Sequence, residues 1–170
     1  MSRANLVRDL RRNPLAAEME QQMSWSVVPF GKYTGKTLPE IIVRDLDWFF
    51  WALPKLYGRL GTEARDLARK VRAIKIPKEH RRKREVEYQY DVDDRFCGFA
   101  FVKADSWHSR WTTRLPHLDL AGPLRGKKYN KRAGRILIRD FRILYFGRHK
   151  RLTKARCEGF FSDDKNFLSR

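Results

Sequence analysis

Two changes of pattern along 170 residues predict an α+β chain. Up to residue 77 the apolar residues recur every three or four positions, as on one face of a helix. From Glu85 onward they alternate in twos, as in half-buried strands. Composition is the third observation: 42% hydrophobic and 13% aromatic residues are enough to fill a packed core. The expected architecture is a small strand–turn–helix–helix part followed by a basic, β-rich C-terminal half. The length suits one domain, or two of about 60–90 residues each.

In chain order, residues 1–23 read as a basic amphipathic helix broken at Pro14, or equally as a loosely held arm. Ser24 to Phe30 is rich in β-branched and aromatic residues and reads as a short strand, ended by Pro29 and Gly31. Gly31 to Lys36 is a glycine-punctuated turn. Thr37 then fits an N-cap, with Glu40 three residues on to complete a capping box and Pro39 in the first turn. Leu38, Ile41, Ile42, Phe49, Ala52 and Leu53 give the following helix its apolar face. A second helix opens at Thr62 and carries Ala64, Leu67, Ala68 and Val71 on one stripe, closing residues 24–77. Residues 78–85 form a charged linker.

Beyond the linker, Val86, Tyr88, Tyr90 and Val92 alternate on one side of a strand, and Phe96 to Lys103 reads as another. Arg135 to Gly147 is expected to be a further strand, or two, because its alternation slips near Asp140. Ser106–Pro116 and Gly122–Gly134 are expected to be loops. Residues 86–170 thus make up the β-rich half.

No apolar run reaches the roughly 18–20 residues needed to cross a membrane. The basic stretch from Met1 to Asn13 lacks the apolar core of a secretory signal. Two cysteines, Cys97 and Cys157, cannot build a disulfide scaffold, and a reduced cytoplasmic setting is expected.

Charge is the strongest feature. Lys and Arg number 38 against 20 Asp and Glu, a formal net charge of +18. Arg125 to Arg156 alone holds 13 basic residues and one acid, Asp140. Its cations are interleaved with Tyr129, Ile136, Ile138, Phe141 and Tyr145, so the stretch reads as folded surface rather than as a solvated tail. A folded surface of this kind exploits counterion release from phosphates.

The turn at Gly31 to Thr37 approaches a nucleotide-binding P-loop, but its glycines stand one residue too close. A phosphate could still sit at such a turn, beside Lys32 and Lys36. The same stretch, VPFGKYTGKTLPEIIVRDLDWFFW from Val28 to Trp51, carries Pro29, Phe30, Gly31, Lys32, Tyr33 and Gly35 at its start. Leu38, Ile41, Asp45, Trp48 and Trp51 follow. In these residues it resembles the C-terminal module of exodeoxyribonuclease X, which also occurs as a stand-alone quorum-sensing-regulated virulence factor family in bacteria. Leu46 stands where that family usually has Pro, and Trp48 where it often has Tyr. The resemblance implies an accessory, nucleic-acid-associated module over about a quarter of the chain and implies nothing for residues 85–170. It carries no catalysis, since the exonuclease's metal-binding acids lie in a separate N-terminal domain that the 27 residues before Val28 do not supply.

Metal and nucleophile signals are sparse. His108, His117 and Asp119 lack a metal-ligand spacing, as do Cys97 and Cys157, and an HNH-type arrangement of His108, His117, Asn130 and His149 does not fit. Asp93-Asp94 and Asp163-Asp164 suit turns better than a two-metal centre. No cofactor or metal is expected. The remaining constellation is aromatic and basic: Trp107, Arg110 and Trp111, then Arg125, Lys127, Lys128 and Tyr129, then Lys131, Arg132 and Arg135. Arg148, Lys150 and Arg151 extend it. Aromatic faces stack on unpaired bases while cations track the backbone; alternatively Trp107 and Trp111 are one packed side of a helix or loop. The expected function is non-catalytic nucleic-acid binding, DNA ahead of RNA, in a bacterial or phage setting accessory to DNA metabolism. The alternatives are an adaptor or host-takeover factor that binds an acidic protein, and a small metal-dependent nuclease.

Overall fold

A computed structural model describes residues 24–80, 82, 84–107, 109–125 and 131–169. The arm at 1–23 lies outside the described residues. So do Lys127, Lys128 and Tyr129.

The chain from Val27 to Thr37 doubles back on itself. Val28 N–H donates to the Lys36 carbonyl at 2.8 Å, and Gly35 N–H returns to the Val28 carbonyl at 2.8 Å. Only one bridge, Val27 with Thr37, has strand geometry, so the strand expected at 24–30 is reduced to a single ladder step. The turn itself contains a short 3-10 segment, Gly31–Tyr33. Gly35 sits at φ +78°, where any Cβ is strained, although the space around it is open. Replacing Gly35 with Val is therefore expected to cost about 1–2 kcal/mol from backbone conformation alone. An unchanged melting temperature would refute that reading.

Helix α1 (Leu38–Ile42) starts from the expected capping box, with Thr37 N–H 3.1 Å from Glu40 Oε2. The helix then breaks. Asp45 leaves the helical region at φ −155° and caps a new helix, α2 (Leu46–Ala52), by accepting from Trp48 N–H at 3.0 Å. The single helix expected across 38–53 is thus two short ones around a sharp corner. Helix α3 spans Gly58–Lys70 and begins four residues before the expected Thr62.

Strands β1 (Glu85–Tyr90), β2 (Phe96–Val102) and β3 (Thr112–Leu115) form an antiparallel sheet in the order β2-β1-β3. Val86 and Tyr88 point inward as expected, whereas Val92 lies past the strand end and is exposed. β3 falls inside the expected loop 106–116. It pairs through Tyr88 with Thr113 and Val86 with Leu115. On the outer face Arg114 lies over Glu87, with Nε 2.8 Å from Oε2.

The largest departure is at Arg135–Gly147, expected as strand. It belongs to the helix α4, Lys131–Phe146, so the C-terminal half is a three-stranded sheet followed by two helices. Ala133, Leu137 and Phe141 are buried at a spacing of four, and Tyr145 continues the row to ring contact with Phe101 of β2. Helix α5, Lys154–Ser162, is capped by Thr153, whose Oγ1 accepts from Arg156 N–H.

One hydrophobic core takes residues from both sides of the 78–85 stretch. Helix α5 packs on α1, α2 packs on α4, and β2 packs on α4. Ile74 bridges both Leu118 and Phe167, tying three distant parts of the chain together. Among the described residues no helix is long and apolar enough to cross a membrane.

Candidate nucleic-acid interface

The residues of the Val28–Trp51 motif converge on Asp45. Lys32 Nζ lies 2.6 Å from Asp45 Oδ2, and Tyr33 Oη donates to the same oxygen at 3.0 Å. Partial burial alone would raise the Asp45 pKa, but the bonds from Lys32, Trp48 N–H and Tyr33 outweigh it and hold the carboxyl below its ordinary value. Lys32 is raised in return, chiefly by its hydrogen bond to Asp45. Above this knot Trp48 meets Tyr33 edge-on at 5.1 Å, Phe30 at 6.0 Å and Trp51 at 6.0 Å. Trp48 is half-buried by these partners, whereas Trp51 keeps 55% of its surface exposed.

This aromatic cluster stands at one end of a groove between the α1–α2 corner and α4. The first section, about 460 Å³, is lined by Lys32, Asp45, Asp47, Trp48 and Trp51 on one wall and by Lys131, Gly134 and Arg135 on the other. The second, about 420 Å³, shares Arg44, Arg135 and Ile138 with the first and so continues it. Arg44, Arg135, Arg139, Arg142, Arg148 and Lys150 bring positive charge to that second section, and among the described residues no acid lines it. Arg139 is the one drawn aside, to Asp140 at 2.8 Å. Arg44, Arg135 and Arg142 make no salt bridge among the described residues.

Local sequence explains the placement. The α4 residues at 131, 135, 139 and 142 fall at helical spacing on one side, while 133, 137 and 141 turn to the core. From Lys131 to Arg142 the helix rises about 16 Å. Its first turn contains no acid, although the helix dipole favours one there. Asp47 of α2 instead brings a carboxylate beside that turn from across the groove. Gly134 permits the close approach to α2, since a Cβ there would lie 2.9 Å from both Asp47 carboxylate oxygens.

Of the residues expected from sequence, Lys131, Arg135, Arg148 and Lys150 line the groove together with Lys32. Lys32 is exposed but engaged by Asp45, and Lys36 pairs with Glu40 at 3.4 Å. Arg132 lies on the other flank of α4, beside Phe96 and Cys97. Arg151 is exposed past the helix, and its carbonyl accepts from Arg156. Arg125 ends a short 3-10 turn, Pro123–Arg125. Trp107, Arg110 and Trp111 sit on the β2–β3 connection, outside the groove. There Trp107 is 86% exposed, and the Arg110 guanidinium lies 4.6 Å from the Trp111 ring centroid. Arg44, Arg139 and Arg142 join the groove without having been singled out; their spacing on α4, and the corner at Asp45, are the signals that would have found them.

The carboxylate pairs take the turn roles expected of them. Asp163 caps Lys165 N–H at 3.0 Å, Asp164 pairs with Lys70 at 2.9 Å, and Asp94 takes φ 60° in the β1–β2 turn. Asp119 accepts from Ala121 and Gly122 N–H in a turn of its own. Cys157 is buried, which pushes its thiol up to about 11. Among the described residues no three His, Cys, Asp or Glu side chains are gathered as a metal would need.

No protein-family model matches the chain, and neither the curated proteins nor the solved structures yield a match. The functional reading therefore rests on the groove itself.

Proposed function

We propose that the chain is a non-catalytic nucleic-acid-binding protein whose α4 groove takes the phosphate backbone. The observation that carries this reading is the second groove section, lined by six cations and, among the described residues, no acid. Guanidinium groups that converge without carboxylates repel one another and favour a bound polyanion. Phosphate oxygens suit them, because the planar guanidinium offers paired donors. Several cations elsewhere are already paired: Arg59 with Glu63, Lys70 with Asp66, and Arg114 with Glu87.

The test is binding of labelled single-stranded DNA, duplex DNA and RNA across a salt series. Log affinity is expected to fall linearly with log salt, with a slope near −0.9 per duplex phosphate contact. Added Mg²⁺ or Mn²⁺ should leave the length of the labelled strand unchanged. A salt-independent affinity, or binding to an acidic protein that nucleic acid does not displace, would favour the adaptor reading instead. Metal-dependent shortening of the strand would favour a nuclease.

A further inference from the structure

We infer that the groove holds single-stranded nucleic acid, with one unpaired base stacked on Trp51. This rests on the groove's being the phosphate track. Trp48 and Trp51 differ in a way that core packing does not explain. Trp48 is enclosed by Phe30, Tyr33 and Trp51, whereas Trp51 turns 55% of its surface outward beside the groove. One face of the Trp51 indole lies under the ammonium of the exposed Lys55, 3.1 Å from the ring centroid. A base arriving there displaces Lys55 toward the phosphate that accompanies the base. Trp48 packs against the indole at an interplanar angle of 47°.

Geometry separates single strands from duplexes at this point. In a duplex each base is stacked on its neighbours and presents only its edges to a protein. An aromatic plane set at the end of a run of phosphate-binding cations has a partner only when bases are unpaired. Arg44 and Arg135 form the junction between the two groove sections, so a strand whose phosphates meet them can place an adjacent base at Trp51.

The experiment measures affinity for three probes carrying equal numbers of phosphates: a thymidine oligomer, an abasic oligomer and a duplex. Trp51→Ala and Trp51→Phe are compared with the unmodified chain. Trp51→Ala is expected to weaken the thymidine oligomer about tenfold or more. It should leave the abasic oligomer and the salt slope unchanged, and Trp51→Phe should restore most of the loss. Equal losses on the abasic and thymidine oligomers, or no loss on either, overturn the stacking while leaving the phosphate track standing. If the unmodified chain binds none of the three probes, the phosphate track fails and the stacking inference falls with it.

Discussion

Replacing Arg44, Arg135 and Arg142 together with Ala is expected to lower nucleic-acid affinity by two to three orders of magnitude at about 0.1 M salt. The magnitude follows from counterion release: each lost contact removes about 0.9 from the log–log slope on a duplex and about 0.7 on a single strand, roughly eightfold and fivefold in affinity at that salt. The slope itself should become shallower by about 2.7 on a duplex and about 2.1 on a single strand. The three were chosen because they share the groove and make no salt bridge among the described residues, so removing them strands no buried carboxylate. All three are exposed, and the far-UV spectrum should not change. Weaker binding should be uniform across base sequences, since phosphates carry no sequence information. The matched control is Lys32 and Lys36 changed to Ala. Both already face Asp45 and Glu40, so that pair should cost less than the triple variant. A triple variant that binds with unchanged affinity and slope would move the interface elsewhere and leave the groove as a solvated face.

The second large effect is on stability. Phe141 is fully buried where α4 meets α5, with ring centroids of Tyr145 at 4.9 Å, Phe146 at 5.6 Å and Phe160 at 5.7 Å. Phe141→Ala removes the ring and leaves a cavity among side chains that cannot collapse far, because each packs on other rings. The expected cost is about 3–5 kcal/mol. Domains of this size are stable by only about 5–15 kcal/mol, so the loss should be plain in urea unfolding. Phe141→Leu should cost much less, since most of the volume remains. A loss below about 1 kcal/mol for the Ala variant would mean that α4 does not pack as described, and the groove wall it forms would go with it.

How far the sequence discloses this arrangement depends on what each element relies on. The capping box at Thr37 and Glu40 is local chemistry and is legible directly. So are β1 and β2, where Val86 and Tyr88 alternate with polar neighbours. Helix α4 reads as strand from composition because Ile136, Ile138, Phe141, Ile143 and Tyr145 are β-branched or aromatic residues of the kind enriched in strands. Packing against β2, and against Phe160 of α5, overrides that preference. The row at 133, 137 and 141, opposed by Arg135, Arg139 and Arg142, already carries the helical period, and weighting it above composition gives the right element. Strand β3 has no such signal: Thr112-Thr113-Arg114-Leu115 is short, and its Arg114 is held by Glu87 across the sheet. The charge run at 125–156 does contain Lys131, Arg135, Arg148 and Lys150, which line the groove. Arg44 could not be placed by charge, because its position depends on the corner that Asp45 makes between two helices.

The bridges at Ile74 set a timetable for the chain during its synthesis. Helices α1 to α3 are finished by residue 70, yet the partners that cover them include α5 and Phe167. At about 5–20 residues per second, the 93 residues separating Ile74 from Phe167 take roughly 5–20 s to emerge. Throughout that interval Ile74 has no Phe167 to pair with, and the surface of α1 destined for α5 stays uncovered. The N-terminal helices therefore close only after α5 and Phe167 are made, and a ribosome paused before residue 154 would hold them with apolar surface facing water.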